Sequence, residues 1–197
     1  MLRYDEPALV SALSRIGARF RAAFAAACAQ RVFPAYQACS ARTGKGDPIA
    51  LARILASIWS DLVGGQIDGQ GVRARLTECM ALIPGEDEVP SVDEQACAED
   101  AAAAIAYTLR TIESGEPQES AWAARRAYEA ADRCASDMGK IDDEDEAVAH
   151  DLVQLELVRQ LRDLTELQGA RQDSLAPIIR LRDRAIAESA VAVGARS

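Results

Sequence analysis

The chain has 197 residues, of which 49% are hydrophobic, 27% charged and 5% aromatic, with a formal net charge of −9. That is the composition of one ordinary soluble domain, and it excludes a disordered chain, while the absence of long apolar runs excludes a membrane span. The acidic balance argues against non-specific binding to nucleic acid.

Forty of the residues are alanine. Alanine has the best helix propensity and a poor strand propensity, so the core is expected to be helical and built from many small contacts.

The turn signals divide the chain into helix-length blocks. Pro7 opens a short helix that ends near Gly17. A helix then covers Ala18 to Thr43, with Pro34 expected to kink or break it. Gly44, Lys45 and Gly46 make a turn, and Asp47 before Pro48 caps the next helix. Ile54, Leu55, Ile58, Trp59 and Leu62 recur there at three- and four-residue steps, as far as Gly64. A glycine-rich loop leads to a helix over about Val72 to Ile83, closed by Pro84 and Gly85. Glu86 to Val92 should be an acidic loop. Ser91 and Glu94 have capping-box spacing for a helix to Ser114, with Gly115 as its C-cap. Pro117 begins a helix that ends near Gly139.

Asp142 to Glu146 is a run of five acids. A long helix is expected after it, near residues 146–168. Its leucines spread round most of the wheel, which marks a central helix. Glu156 falls within that apolar arc, with Gln160 and Asp163 near it, and such a carboxylate must find a partner or shift its pKa. Asp173 or Ser174 caps a last helix through Ala187. No stretch alternates with period two. The expected fold is therefore all-α, a single-domain bundle of seven or eight helices over residues 1–190, with a frayed tail at 191–197.

Charge is segregated. Residues 1–75 carry ten basic and five acidic side chains, net +5; residues 76–156 carry five and 21, net −16; residues 157–197 carry seven and five, net +2. Glu86, Asp87, Glu88, Asp93 and Glu94, with Asp142, Asp143, Glu144 and Asp145, form an acidic surface suited to a protein partner with a basic face. The simpler reading of the same residues is a solvated, solubilising face.

Familiar catalytic patterns are incomplete in this sequence. Near Gly44-Lys45, Cys39 stands where a P-loop needs its first glycine, and Gly46 replaces the Ser or Thr. Asp143 and Asp145 lack the glycine and distal glutamate of an EF-hand. The single histidine, His150, cannot supply the Glu-x-x-His pairs of a di-iron bundle and reads as an ordinary surface residue. Trp59 and Trp122 read as core anchors. Five cysteines without a C-x-x-C pair argue against a zinc site or a disulfide framework. With no apolar leader, these thiols point to the cytoplasm.

One carboxylate pair fits a chemical role. Asp100 and Glu156 lie on expected helices among small or apolar residues, and together they could bind a divalent cation or transfer a proton. The competing reading is two structural carboxylates satisfied by arginines or helix caps.

The block FAAACAQRVFPAYQACSARTGKGD, with Phe24, Arg31, Pro34, Tyr36, Thr43, Gly44 and Asp47, resembles the YjaG-like family of bacterial proteins, a domain-of-unknown-function family. LARILASIWSDLVG with Trp59, LIPGEDEV, CAEDAAAAIAYTL with Asp100, and Glu156 are similar as well, so the likeness covers roughly Phe20 to Gln168. The resemblance implies an all-helical cytoplasmic bacterial protein and no established activity.

The leading expectation is a non-catalytic acidic protein-binding protein, in form an immunity or antitoxin-like protein that neutralises a basic toxin or nuclease. It needs no cofactor, nucleic acid or membrane. The alternatives are a metal- or carboxylate-dependent enzyme using Asp100 and Glu156, and a homo-oligomeric scaffold.

Overall fold

The structure is a computed structural model that describes residues 1–64, 68–83, 92–138 and 150–194, with the side chains of 92–95, 97, 136–138 and 190–194 outside that description. The described residues form eight α-helices and no strand. In chain order they are α1 (Glu6–Leu13), α2 (Ala18–Thr43), α3 (Pro48–Gly64), α4 (Gly69–Ala81), α5 (Val92–Ser114), α6 (Pro117–Met138), α7 (Asp151–Gln168) and α8 (Ala176–Gly194).

The central helix is α2, not the helix near 146–168. α2 packs on α3, α5, α6, α7 and α8, and Phe20, Ala23, Phe24, Ala25, Ala26, Ala27, Cys28 and Ala29 are buried along it. Runs of alanine make this possible. A helix that is small all round lets its neighbours approach on several sides at once. The leucines of α7 spread round the wheel for another reason, since its outer residues Leu155, Val158 and Leu161 are exposed at 44, 50 and 52%.

α7 also begins later than expected, at Asp151, where the Nδ1 of His150 accepts from the backbone N–H of Leu152 at 3.2 Å. His150 is thus a helix cap rather than a plain surface residue. The last helix starts at Ala176 and runs on to Gly194, past the expected end at Ala187.

Pro34 does not break α2, which is helical from Ala18 to Thr43. An interior proline costs about 3 kcal/mol of helix stability. Phe20 to Phe33 on one side of it, and Tyr36 and Cys39 on the other, are anchored in the same core and outweigh that cost.

The turn after α2 follows from its glycines. Gly44 and Gly46 take φ of 68° and 76°, a region open to glycine at little cost. Asp47 Oδ1 then accepts from the N–H groups of Ile49 and Ala50, at 3.1 and 2.9 Å. The Tyr36 hydroxyl ties this turn to the end of α4, accepting from Asp47 N–H at 3.1 Å and donating to Leu82 C=O at 2.6 Å.

Among the described residues no helix is long and apolar enough to cross a membrane.

Candidate functional site

Two ion-pair clusters and one groove hold the described candidate residues. The first cluster joins α2, α7 and α8. Arg31 of α2 donates from Nε and Nη2 to the two carboxylate oxygens of Glu156, at 2.9 and 3.0 Å, and from Nη1 to Asp163 at 2.8 Å. Asp163 is fully buried and also accepts from Arg162 and Arg184, at 2.9 and 2.8 Å. Arg184 and Arg180 both donate to Glu166 at 2.8 Å. Arg162 reaches Glu188 at 2.8 Å. Gln160 links the cluster to α6, donating to Glu156 and to the carbonyl of Ala124, each at 3.0 Å.

Burial opposes the charge on Arg31, but Glu156 and Asp163 outweigh it and hold the guanidinium well above its usual pKa. Burial in turn pushes the Cys28 thiol up, so this neighbour of Arg31 stays a neutral, inert packing group. Burial also raises Glu166, yet the bonds from Arg184 and Arg180 win and leave it below the ordinary glutamate value.

The second cluster sits between α5 and α6. Asp100 is buried and accepts from Arg126 Nη1 at 3.2 Å and from Arg133 Nη2. Burial raises its pKa despite the lowering effect of both arginines. Asp100 and Glu156 are therefore each satisfied, by different arginines on different helices. The structure does not bring them together. Among the described residues no group of three or more His, Cys, Asp or Glu side chains could hold a metal ion.

The groove lies over α6, between the C-terminal half of α2 and the N-terminal half of α7, with a volume of about 580 Å³. Ala35, Ala38 and Ala41 form one wall, Ala127, Ala130, Ala131 and Cys134 the base, and Leu152 and Leu155 the other wall. Glu156, Arg31 and Arg159 supply polar groups at its inner edge. The depression exists because alanines face each other where two helices converge on a third. An apolar concavity with a few polar groups at one edge is the usual form of a recognition site.

The acidic residues singled out from the sequence contribute no geometry. Glu86, Asp87, Glu88, Asp142, Asp143, Glu144 and Asp145 lie outside the described residues, and so do the side chains of Asp93 and Glu94. Sequence reasoning missed Arg31 as the partner of Glu156. The signal was present as a lone arginine in the apolar run from Ala22 to Phe33. Trp59 and Trp122 behave as packing residues. Trp59 donates to Gln30 at 3.2 Å, and Trp122 packs on Tyr107 with ring centroids 5.4 Å apart.

No curated protein matches the chain. A crystal structure of a DUF416 family protein from Shewanella baltica OS155 superposes with a TM-score of 0.78 at 20% identity, over 90% of this chain and 93% of that one. The likeness establishes a shared fold. The sequence profile of that family, described as "Protein of unknown function (DUF416)", matches residues 9–195. The chain therefore belongs to the DUF416 family.

Proposed function

We propose that this protein is a non-catalytic binding protein that takes a protein partner with a basic surface, in the manner of an immunity or antitoxin protein against a basic toxin or nuclease. One observation carries the reading. The buried carboxylates suited to chemistry are already held by arginines, while the described residues form an apolar groove beside Glu156. Such a site can bury a partner's apolar side chains, and both oxygens of its Glu156 carboxylate are engaged by Arg31. The net charge of −16 over residues 76–156 supports the choice of a basic partner, through faster encounter rather than contact energy. Free thiols at Cys28 and Cys79 suit a cytoplasmic setting. The block from Phe24 to Asp47 is the ground for assigning the chain to the YjaG-like members of its family.

The test is affinity capture of the tagged full chain from native lysate at low and high salt, read by mass spectrometry. The expected result is one stoichiometric partner with a basic domain, held less well at high salt. With that partner purified, replacing Glu86, Asp87 and Glu88 by serine should slow association and flatten its salt dependence. Capture that neither salt nor this triple change alters overturns the electrostatic reading.

A further inference from the structure

The outer face of α7 carries a row of apolar residues that the groove shares only at Leu155. Leu155, Val158 and Leu161 are exposed at 44, 50 and 52%. At about 100° per residue they share one sector, opposite the buried Val153, Gln160 and Leu164. The solvent side of a surface helix is ordinarily polar, so a row of three branched apolar residues there is unusual. Two charges share the sector: exposed Asp151 before the row, and Arg162, with 38% of its side chain exposed, within it.

We propose that this face pairs with the same face of a second copy, α7 against α7 and antiparallel, to form a two-fold dimer. The register of the charges selects this occupant. A two-fold axis passing between Glu156 and Leu157 sets Asp151 opposite the second copy's Arg162. The same axis sets Leu155 opposite the second copy's Val158, because both pairs are symmetric about that one point in the sequence. One operation thus matches charge to charge and apolar to apolar, twice over, as an isologous contact requires. Arg162 keeps its bonds to Asp163 and Glu188 while 38% of its side chain is exposed. Of the groove-lining residues of α7, Leu152, Glu156 and Arg159 sit on one flank, and Leu155 stands at the border between that flank and the paired face. An antiparallel pairing leaves both flanks on the same side of the dimer. The two grooves then open side by side, and a binding protein of this kind would be bivalent.

The inference stands apart from the binding reading, and sedimentation equilibrium of the full chain over a wide concentration range tests it. The expected species approaches twice the 21.1 kDa chain mass. Val158→Glu should weaken self-association roughly tenfold or more, with unchanged helical circular dichroism, because it places carboxylates in the contact. Asp151→Arg should weaken it less, by setting arginine against Arg162. Ile49→Glu, at an exposed position on α3, should have no effect. A monomer at every concentration overturns the proposal. So does a dimer indifferent to Val158→Glu, or one equally sensitive to Ile49→Glu. A monomeric Val158→Glu variant that still captures a partner would separate the dimer from the binding function.

Discussion

Arg31 and Glu156 meet in the interior as a two-bond pair, guanidinium to carboxylate, at 2.9 and 3.0 Å, with side-chain exposures of only 3 and 6%. They join the central helix α2 to α7, which otherwise packs mainly on α6. An interior pair of this kind is not in itself strong evidence of stability, since desolvation offsets much of the attraction. Its removal by halves is another matter.

Arg31→Ala leaves Glu156 without its main cation and deprives Asp163 of one of three. It should cost about 3–5 kcal/mol in urea unfolding. Replacing both partners, Arg31→Met with Glu156→Met, should recover most of that loss, since Arg162 and Arg184 still hold Asp163. A double variant as unstable as the sum of the single changes would show that the pair is not energetically coupled.

Asp100 gives a pH dependence with a definite sign. Its folded-state pKa is raised from 3.8 by burial, more than Arg126 and Arg133 lower it. A raised carboxyl favours folding in its protonated form. That contribution is complete below the unfolded pKa and is lost as pH rises through the folded one. The stability of the natural protein relative to Asp100→Asn should therefore be more favourable at about pH 4.5 than at about pH 7. Urea midpoints of the two proteins at both pH values check this, and the opposite slope would reverse the assignment.

The turn after α2 should tolerate no side chain at Gly46. Its φ of 76° is strained for any L residue, and a Cβ there would press on the Tyr36 hydroxyl. The conformation alone costs roughly 1–2 kcal/mol in Gly46→Ala, and displacing the hydroxyl adds to it. Tyr36→Phe, which leaves the ring but removes both hydrogen bonds, should cost about 1–3 kcal/mol. Thermal unfolding of both variants would measure these effects.

The groove can be filled without touching the ion pairs. Ala131 is only partly buried on its base. Ala131→Phe should place a ring in the open space, leave stability within about 0.5 kcal/mol, and weaken partner capture tenfold or more. Undiminished capture by a folded Ala131→Phe protein would show that the partner binds elsewhere.

Much of the helical framework is readable from local chemistry. Asp47-Pro48 marks the start of α3 and Pro117 the start of α6, and the spacing from Ile54 to Leu62 identifies a buried helical stripe. These signals act within one turn, so they need no knowledge of neighbours. Whether Pro34 would break its helix, and where the leucines of α7 would point, are not readable for the opposite reason. The effect of a proline depends on what packs on either side of it. A helix apolar all round can be central, as α2 is by virtue of its alanines, or can carry an exposed apolar face, as α7 does.

The same division runs through the candidate site. From the sequence alone one learns that the chain is all-helical, that its charge is segregated, and that Glu156 needs a partner, because propensity, charge and desolvation are properties of residues and their near neighbours. Which cation answers Glu156, why Asp100 belongs to a different cluster, and where alanines leave a groove are decided by tertiary structure. Arg31 and Glu156 are 125 residues apart in the chain, and only the packing of α2 against α7 brings them within bonding distance.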